Sequence, residues 1–450
     1  MRQTSPPAQR APQRASRRLA ALALAGALAL AGCGEPADNE PGGQDGALSG
    51  DLNILVSSAD ASDKAFNELN EAFNKAYPDV DATLTSVPND TYDASKAAQM
   101  TAGTVDVVVI SFKGFRDTPD YAIDSKTADV QLAEAGGYLD LTNEPFMSNY
   151  NPSLLESVKI DGKVYALPTG MSYGGIFYNK QIFADNGLEV PTTWAEMEQV
   201  VSALQAASVT PFGIGGKEIW PAGLTMLGIV GGLYPSEQAE QELMDGLWQG
   251  SLKLDEGKQL TVLERTEKVF QAAQANFAGA SYDTMPSEFA QGKFAMLPDG
   301  TWNQPVIEEA VGGAFEYGYF PVPGGDSPAD NGSLYGKVEL MLGVNAATKN
   351  KAAALAWLDF FSAPDNYGQF VATAGWASSQ PGIDQNEFLN SIAEYTADFR
   401  PNWEVLWIPN NDAGEAAMYP FNYPALAPLG TETAANAAKA AQEAWAAGLG

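Results

Sequence analysis

The order in which strand-like and helix-like segments follow one another constrains this chain most. Asp51–Ser57 predicts a strand, and Ser62–Tyr77 follows with apolar residues at i, i+3, i+4 and i+7, the spacing of an amphipathic helix. Asp81–Val87 and Tyr92–Thr101 predict a second strand and a second helix, and Val105–Ile110 (VDVVVI) predicts a third strand. A continuous β-branched run suits a strand that is covered on both faces, as in a parallel sheet. Residues 51–110 therefore predict a β-α-β-α-β unit and an α/β fold.

The same alternation continues through the rest of the 450 residues. Pro211–Gly215, Phe294–Leu297 and Val338–Val344 predict short strands, and Glu432–Ala447 predicts an alanine-rich helix. Thr193-Trp194-Ala195-Glu196 has the Thr-x-x-Glu pattern of a capping box at the start of a helix. Two α/β lobes suit this length better than one very large sheet. Since ligands of open α/β sheets lie outside the carboxyl ends of the strands, we expect a ligand cleft between the two lobes.

The first fifty residues predict a signal peptide followed by a lipid-anchored flexible tether. Five arginines and no acid precede Leu19–Ala31, an apolar run too short to span a bilayer but typical of a signal peptide. The run ends in Leu30-Ala31-Gly32-Cys33, which resembles the bacterial lipobox, and the resemblance implies that Cys33 becomes the lipidated (palmitate-bearing) N-terminus. We therefore predict a signal peptide at 1–32, a lipid anchor and flexible tether at 33–50, and an extracytoplasmic position on the bacterial cell membrane.

The charged, histidine and cysteine content excludes several functions. The formal net charge of −31 predicts a surface that repels nucleic acid and anionic lipid. The chain has no histidine, which removes the Ser-His-Asp triad and the commonest metal ligand. Cys33 is the only cysteine, so an intrachain disulfide and a thiolate cluster are both impossible. We expect no metal, no cofactor and no enzymatic activity.

Three sequence stretches carry a resemblance to a known family. Asp161–Trp194 reads DGKVYALPTGMSYGGIFYNKQIFADNGLEVPTTW and contains the segments G-x-x-Y-A-L-P, YNK and GL-x-x-P-x-T-W in that order. Phe289–Met296 followed by Gly300-Thr301-Trp302, and Ala353–Phe361 followed by Ser362-Ala363-Pro364, provide two further matches. Together they resemble the family 1 extracellular solute-binding proteins, a maltose-binding-protein-like group that binds sugars for ABC importers.

The resemblance implies a two-lobed periplasmic-binding-protein-like fold of type II, with hinged lobes and a ligand cleft between them. The predicted lobe one comprises residues 51–168 and about 340–380, and lobe two comprises 169–339 and about 381–450. By the same resemblance, the chain captures a mono- or oligosaccharide by lobe closure and delivers it to membrane permease subunits, as a monomer.

Candidate ligand residues follow from sugar chemistry and from the strand ends. Aromatic faces suit the apolar C–H faces of sugars, and the resemblance implies a stacking role for Trp302. Trp220 and Trp376 lie near glycine-containing loops and are further candidates, although a tryptophan is often a half-buried packing residue. Carboxylates, hydroxyls and an additional ring at strand ends and near the predicted crossings complete the set: Ser58, Asp60, Ser111, Phe112, Ser172, Tyr173, Asp283 and Glu339. In so acidic a chain, any single carboxylate has the alternative of being a solvated surface charge.

Two other functions stay open at this point. A binding protein for another ligand, such as a polyamine, would suit the acidity, because carboxylates and aromatic rings hold organic cations. A secreted glycoside hydrolase would need two carboxylates poised across the scissile bond, and 56 acidic residues do not exclude such a pair.

Overall fold

The computed structural model describes residues 48–111, 113, 115–397 and 399–450. The predicted signal peptide, Cys33 and most of the predicted tether lie outside the described residues, as does Phe112. None of the helices in the described ranges is both long and apolar enough to span a bilayer.

The strands, in chain order, are β1 Gly50–Ser57, β2 Val80–Val87, β3 Val107–Ile110, β4 Lys159–Ile160, β5 Lys163–Val164, β6 Gly170–Asn179, β7 Met296–Gly300, β8 Tyr317–Phe320, β9 Tyr335–Glu339 and β10 Met341–Val344. The helices are α1 Asp60–Ala76, α2 Asn89–Ala102, α3 Ala128–Glu134, α4 Pro152–Glu156, α5 Lys180–Asp185, α6 Trp194–Ala206, α7 Gly223–Leu233, α8 Glu237–Trp248, α9 Gly257–Gln271, α10 Met285–Ala290, α11 Gln304–Val311, α12 Lys351–Ser362, α13 Pro364–Ala374, α14 Glu387–Ser391, α15 Ala393–Thr396, α16 Trp403–Leu406 and α17 Ala434–Gly448. Three short 3-10 helices each contain an aromatic residue: Trp220–Ala222, Tyr282–Thr284 and Thr301–Asn303.

Lobe one is built on a four-stranded sheet of order β10-β3-β1-β2. β1 pairs in parallel with β2 and β3, and β10 pairs antiparallel with β3. All four residues of β3 are buried, which confirms the strand predicted from the β-branched run. The apolar face of α1 enters the same core through Phe66, Leu69 and Phe73.

Lobe two is built on a second sheet with β6 at its centre. β6 pairs antiparallel with β7, β8 and β9. At the start of α6, Thr193 Oγ1 accepts from the backbone N–H of Glu196 at 3.3 Å and the Glu196 carboxylate accepts in return from the backbone of Thr193 at 3.2 Å. This confirms the predicted capping box.

The described core residues fall into groups that follow the chain in blocks. The core of lobe one takes its residues from 52–167 and 338–376. The cores of lobe two take theirs from 173–335 and 377–445, with Ala122 as an addition from the region predicted for lobe one. Arg116, from the same region, also contacts lobe two. Its guanidinium donates to Gln241 Oε1 at 3.0 Å and to the carbonyl of Leu406 at 3.1 Å. The segment between β3 and α3 thus reaches across to lobe two.

Two strand predictions were wrong in an instructive way. Val338–Val344 is not one strand, because Leu340 adopts a φ of +32° and separates β9 in one sheet from β10 in the other. The chain therefore crosses between the lobes at this residue. Pro211–Gly215 is not a strand, and Phe212 forms only isolated bridges to Ala273 and Met296. Its neighbour Pro211 has no backbone N–H to donate to a ladder.

Candidate ligand-binding site

Trp302 lies where the two lobes meet. It belongs to the 3-10 helix that directly follows β7, and β7 is held by β6 through the pairing of Gly300 with Gly174. The side chain is half-buried and packs against the cores of both lobes. The same 3-10 helix contacts α1 of lobe one. Trp302 therefore contacts both lobes.

Two further rings join Trp302 in what we call the aromatic cluster, made of Trp220, Tyr282 and Trp302. The ring centroids of Trp220 and Tyr282 are 4.6 Å apart, and those of Trp220 and Trp302 are 6.4 Å apart with an interplanar angle of 53°. All three side chains are half-buried. The cluster therefore offers two inclined indole rings with part of their surface left open.

A chain of hydrogen bonds holds the cluster from behind. Trp302 Nε1 donates to Tyr282 Oη at 2.9 Å, and Tyr282 Oη donates to Asp299 Oδ1 at 2.8 Å. Asp299 also accepts from Asn303 Nδ2 at 2.7 Å and from the backbone N–H of Gly300 at 2.8 Å. Because every donor on this path is satisfied within the protein, the orientation of the Trp302 ring is set before any ligand arrives.

Burial governs the protonation of this network. Asp299 is fully buried, and burial raises the pKa of its carboxyl to about 6, against the opposing effect of the hydrogen bonds from Asn303, Tyr282 and Gly300. Burial also raises the pKa of Tyr282 well above its usual value, with the charge of Asp299 acting in the same direction. Tyr282 is therefore a neutral donor at physiological pH.

Lys337, Glu339 and Ser172 form a polar group beside Trp302. Ser172 lies opposite Lys337 in the β6–β9 pairing. The Glu339 carboxylate accepts from Ser172 Oγ and lies 3.1 Å from Lys337 Nζ. Lys337 Nζ lies 4.8 Å from the centroid of the Trp302 ring, within the range of a cation–π interaction. The structure thus brings Ser172, Glu339 and Trp302 together, with Lys337 as the link.

Tyr173 supports the cluster without reaching it. Its side chain is buried in lobe two, 6.5 Å from the Phe399 ring centroid, and burial raises the pKa of its hydroxyl to about 12. Its backbone N–H donates to Thr301 Oγ1 at 3.1 Å, immediately before Trp302. The backbone of Tyr173 therefore stabilises the 3-10 helix Thr301–Asn303, which contains Trp302.

The candidates of lobe one lie at strand ends. Ser58 follows β1, and its hydroxyl donates to Asp63 Oδ2 at 3.0 Å, while Asp60 is exposed at the first residue of α1. Ser111 follows β3, and its backbone N–H donates to the buried carboxylate of Asp129 at 2.9 Å. The three residues occupy the carboxyl ends of strands, where an open α/β sheet binds its ligands.

Trp376 and Asp283 have different surroundings from the cluster residues. Trp376 is 3% exposed and packs in the core of lobe one, 5.5 Å from the Phe370 ring. This is the environment of a core packing residue, not of a ligand platform. Asp283 is exposed on the 3-10 helix that contains Tyr282.

Sequence reasoning missed Tyr282, Asp299 and Lys337. One signal for Asp299 was present, since a carboxylate two residues after the apolar Phe294–Leu297 run, and just before Gly300-Thr301-Trp302, is unusual for a buried strand. For Tyr282 and Lys337 there was no such local signal. Over the part of the chain that the structure describes, no cluster of three or more acidic, histidine or cysteine side chains is placed to hold a metal ion.

The chain matches the family described as bacterial extracellular solute-binding protein over residues 57–368. It belongs to this family. The resemblance inferred from the motifs is thereby confirmed, and with it the extracellular setting that the family name states. The family and its structural neighbours are binding proteins rather than enzymes.

Individual relatives and solved structures agree with this assignment. The chain is 26% identical over 350 residues to the multiple sugar-binding protein of Streptococcus mutans, an alignment that covers 74% of this chain and 76% of the relative. It is 23% identical over 372 residues to the melibiose/raffinose/stachyose-binding protein MelE of Bacillus subtilis, covering 78% and 80% of the two chains. The solved structure of the solute-binding protein RafE in complex with raffinose is similar with a TM-score of 0.73 at 24% identity, over 89% of this chain and 100% of that chain. The solute-binding protein described here thus has the two-lobed fold.

Proposed function

We propose that this solute-binding protein captures a sugar or oligosaccharide at the aromatic cluster and delivers it to the permease of an ABC importer. The observation that carries the proposal is the pair of inclined, half-buried indole rings of Trp220 and Trp302, of which Trp302 packs against both lobes. Sugars expose apolar C–H faces that stack on such rings. Relatives and a structural neighbour that are named for sugar binding support the ligand class.

The proposed capture uses both lobes. The indole rings hold the apolar face of the sugar on lobe two, and Ser58, Asp60 and Ser111 at the strand ends of lobe one hydrogen-bond to its hydroxyls. A ligand that contacts both walls stabilises the closed arrangement more than an open one, so its binding shifts the lobes towards closure. The net charge of −31 disfavours anionic ligands and is compatible with a neutral sugar.

We further propose that binding occurs without catalysis. Glycoside hydrolysis requires two carboxylates on opposite sides of the scissile bond. Three carboxylates that touch the cluster network are engaged by protein groups: Asp299 by three donors, Glu339 by Ser172 and Lys337, and Glu218 by Ser281 and the backbone of Tyr282. All three therefore act as structural acceptors in this proposal.

Anchoring and oligomeric state belong to the same proposal. We propose that Cys33 bears the lipid, that residues up to 50 form the tether, and that the protein works as a monomer at the outer face of the membrane. Incorporation of labelled palmitate into the wild-type chain, and its loss in Cys33→Ala, would support the anchor, and unchanged labelling in the variant would contradict it.

The first test of the ligand class is thermal unfolding of the purified protein with raffinose, stachyose, melibiose and spermidine. A ligand at about a hundred times its dissociation constant adds about 2.7 kcal/mol to the stability of the folded state, which raises the unfolding midpoint measurably. We expect a rise with one sugar class and none with spermidine. A rise with spermidine alone would favour the polyamine alternative, and turnover of a chromogenic glycoside would favour the hydrolase.

A further inference from the structure

The residue before Trp220 has a strained backbone. Ile219 adopts φ +66° and ψ −57°, a region that β-branched residues rarely occupy. The backbone N–H of Trp220 donates to the carbonyl of Glu218 at 2.7 Å, two residues back, which closes a tight γ-turn around Ile219. Strained conformations of this kind persist only where the surrounding structure enforces them, and they concentrate at functional sites.

The side chain of Glu218, the first residue of the turn, bonds to the neighbouring loop. Its Oε1 accepts from Ser281 Oγ at 2.9 Å, and its Oε2 accepts from the backbone N–H of Tyr282 at 2.9 Å. Lys217 Nζ lies 3.6 Å from the same carboxylate. Glu218 therefore joins the loop that holds Trp220 to the loop that holds Tyr282, while its own carbonyl closes the turn.

The two loops lie so close together that only glycine fits between them. A Cβ on Gly215 would come within 2.6 Å of Tyr282 Cα, and a Cβ on Gly216 within 2.7 Å of the Phe277 carbonyl oxygen. The backbone N–H of Gly216 donates to that same Phe277 carbonyl at 2.9 Å, and the N–H of Lys217 donates to the carbonyl of Ala280 at 3.1 Å. The contact surface is thus built to hold residues 215–220 in one arrangement.

We propose that Glu218 is a positioning residue for ligand binding: it holds the strained turn at Ile219 and so fixes the Trp220 ring against Tyr282. The inference rests on the proposed function, because it assigns Trp220 to the sugar platform. Tyr282 is shared, since its backbone binds Glu218 and its hydroxyl binds Trp302. One carboxylate therefore sets the geometry of both indole rings, and a platform that is ordered in advance loses less freedom when it binds.

The positioning role is tested without any ligand by ¹⁹F NMR of the full-length chain labelled with fluorotryptophan. Trp220→Phe identifies the Trp220 resonance by its disappearance. We expect Glu218→Ala to shift or broaden that resonance, because the turn can then relax. Glu218→Gln should restore it, because an amide oxygen can accept from Tyr282 N–H while the amide N–H donates to Ser281 Oγ. Ser281→Ala removes only one of the two bonds and serves if the alanine variant of Glu218 does not fold.

Glu196→Ala is the matched control, since Glu196 also anchors backbone N–H groups of lobe two through its carboxylate, at the capping box of α6. We expect it to lower the unfolding midpoint and leave the Trp220 resonance in place. An unchanged Trp220 resonance in Glu218→Ala, or an equal change in the Glu196 control, would overturn the proposal.

The second arm measures sugar affinity by calorimetry, with the sugar that raises the unfolding midpoint of the wild type. We expect Glu218→Ala to weaken binding by about tenfold through lost preorganisation, with Glu218→Gln restoring most of it. Loss of binding in Glu218→Gln together with an unmoved resonance would overturn the positioning role in favour of a direct contact with the ligand. If the wild type binds no sugar at all, the proposed function fails, and the ¹⁹F result still decides whether Glu218 holds Trp220.

Discussion

Lobe one and lobe two differ in what surrounds their buried charged groups. In lobe one, Lys96 Nζ lies 2.8 Å from both carboxylate oxygens of Asp129, which also accepts from Tyr138 and from the backbone of Ser111. In lobe two, the buried Glu339 pairs with Lys337 and the buried Arg265 pairs with Asp326. Asp299 and Glu240 of lobe two are buried without a salt bridge among the described residues, and burial raises the pKa of both carboxyls. The strained turn at Ile219 lies in the same lobe.

This difference indicates a division of roles. The Lys96–Asp129 pair and the buried Trp376 make the core of lobe one a scaffold, and variants of that core should change stability rather than affinity. Lobe two contains two buried carboxyls without a salt bridge, the strained turn at Ile219 and the half-buried rings of the aromatic cluster. Perturbed carboxyls and backbone strain are both concentrated at functional sites. Four measurements test the contrast, in decreasing order of expected effect.

Trp376→Ala should be the most costly change. The substitution leaves a large cavity in the core of lobe one next to Phe370, and we expect a loss of about 3–5 kcal/mol in the free energy of unfolding. Urea unfolding followed by circular dichroism measures the loss. The folded fraction should retain its sugar affinity. Near-normal stability with abolished binding would instead place Trp376 in the ligand site and break the contrast between the lobes.

Glu240→Gln should stabilise the protein at high pH only. Burial raises the pKa of Glu240 to about 8 in the folded state, with Arg400 opposing and Glu237 adding to the effect, against an ordinary value of 4.5. Between these values the folded state holds a proton that the unfolded state has lost, so this carboxyl makes the protein progressively less stable as pH rises from 4.5 to about 8, and the loss is constant above that.

The variant lacks that penalty. Its free energy of unfolding should equal that of the wild type near pH 4.5 and exceed it progressively up to pH 8, by a few kcal/mol at most. The unfolding midpoint should rise accordingly. Thermal unfolding of both proteins across this range, in matched buffers, gives the difference directly. A difference that is constant with pH would mean that Glu240 ionises normally in the folded protein.

Trp302→Ala should act on affinity. Losing the ring at the lobe boundary should weaken sugar binding by about thirtyfold, or about 2 kcal/mol, the size typical of an aromatic hot spot. Calorimetry measures the affinity. Trp248→Ala is the matched control, because Trp248 is also a half-buried tryptophan of lobe two but packs edge-to-face against Trp445, outside the cluster. Equal losses in both variants would show a general loosening of lobe two instead of a lost platform.

Ser111→Ala should have the smallest effect. If its hydroxyl binds a sugar hydroxyl from the lobe one side, its removal should cost about 0.5–1.5 kcal/mol of binding free energy, the net value of one hydrogen bond. The Asp129 contact is made by the backbone N–H of Ser111 and survives the substitution. Ser95→Ala, a half-buried serine on α2, is the control for stability. Unchanged affinity in Ser111→Ala would show that the Ser111 hydroxyl does not contact the ligand.

Local patterns allowed most of the fold to be predicted. The helix predicted at Ser62–Tyr77 is Asp60–Ala76 in the structure, and the buried strand within Val105–Ile110 is Val107–Ile110. Both follow from side-chain periodicity within one segment. The prediction of one strand at Val338–Val344 was wrong because the segment is mostly apolar and carries no break that is visible in the sequence. The chain passes from one sheet to the other at Leu340, and both sheets are formed with distant parts of the chain.

The sequence by itself determined the family, the α/β class and the tryptophans among which the platform lies. Only the tertiary structure decided that Trp302 is half-exposed at the boundary while Trp376 is enclosed, and that Tyr282, Asp299 and Glu218 hold the rings. Periodicity and motifs report on neighbours along the chain. Burial, pKa and hydrogen-bond partners depend on groups brought together across it, as Glu218 is to Tyr282, and those contacts have no local signature in the sequence.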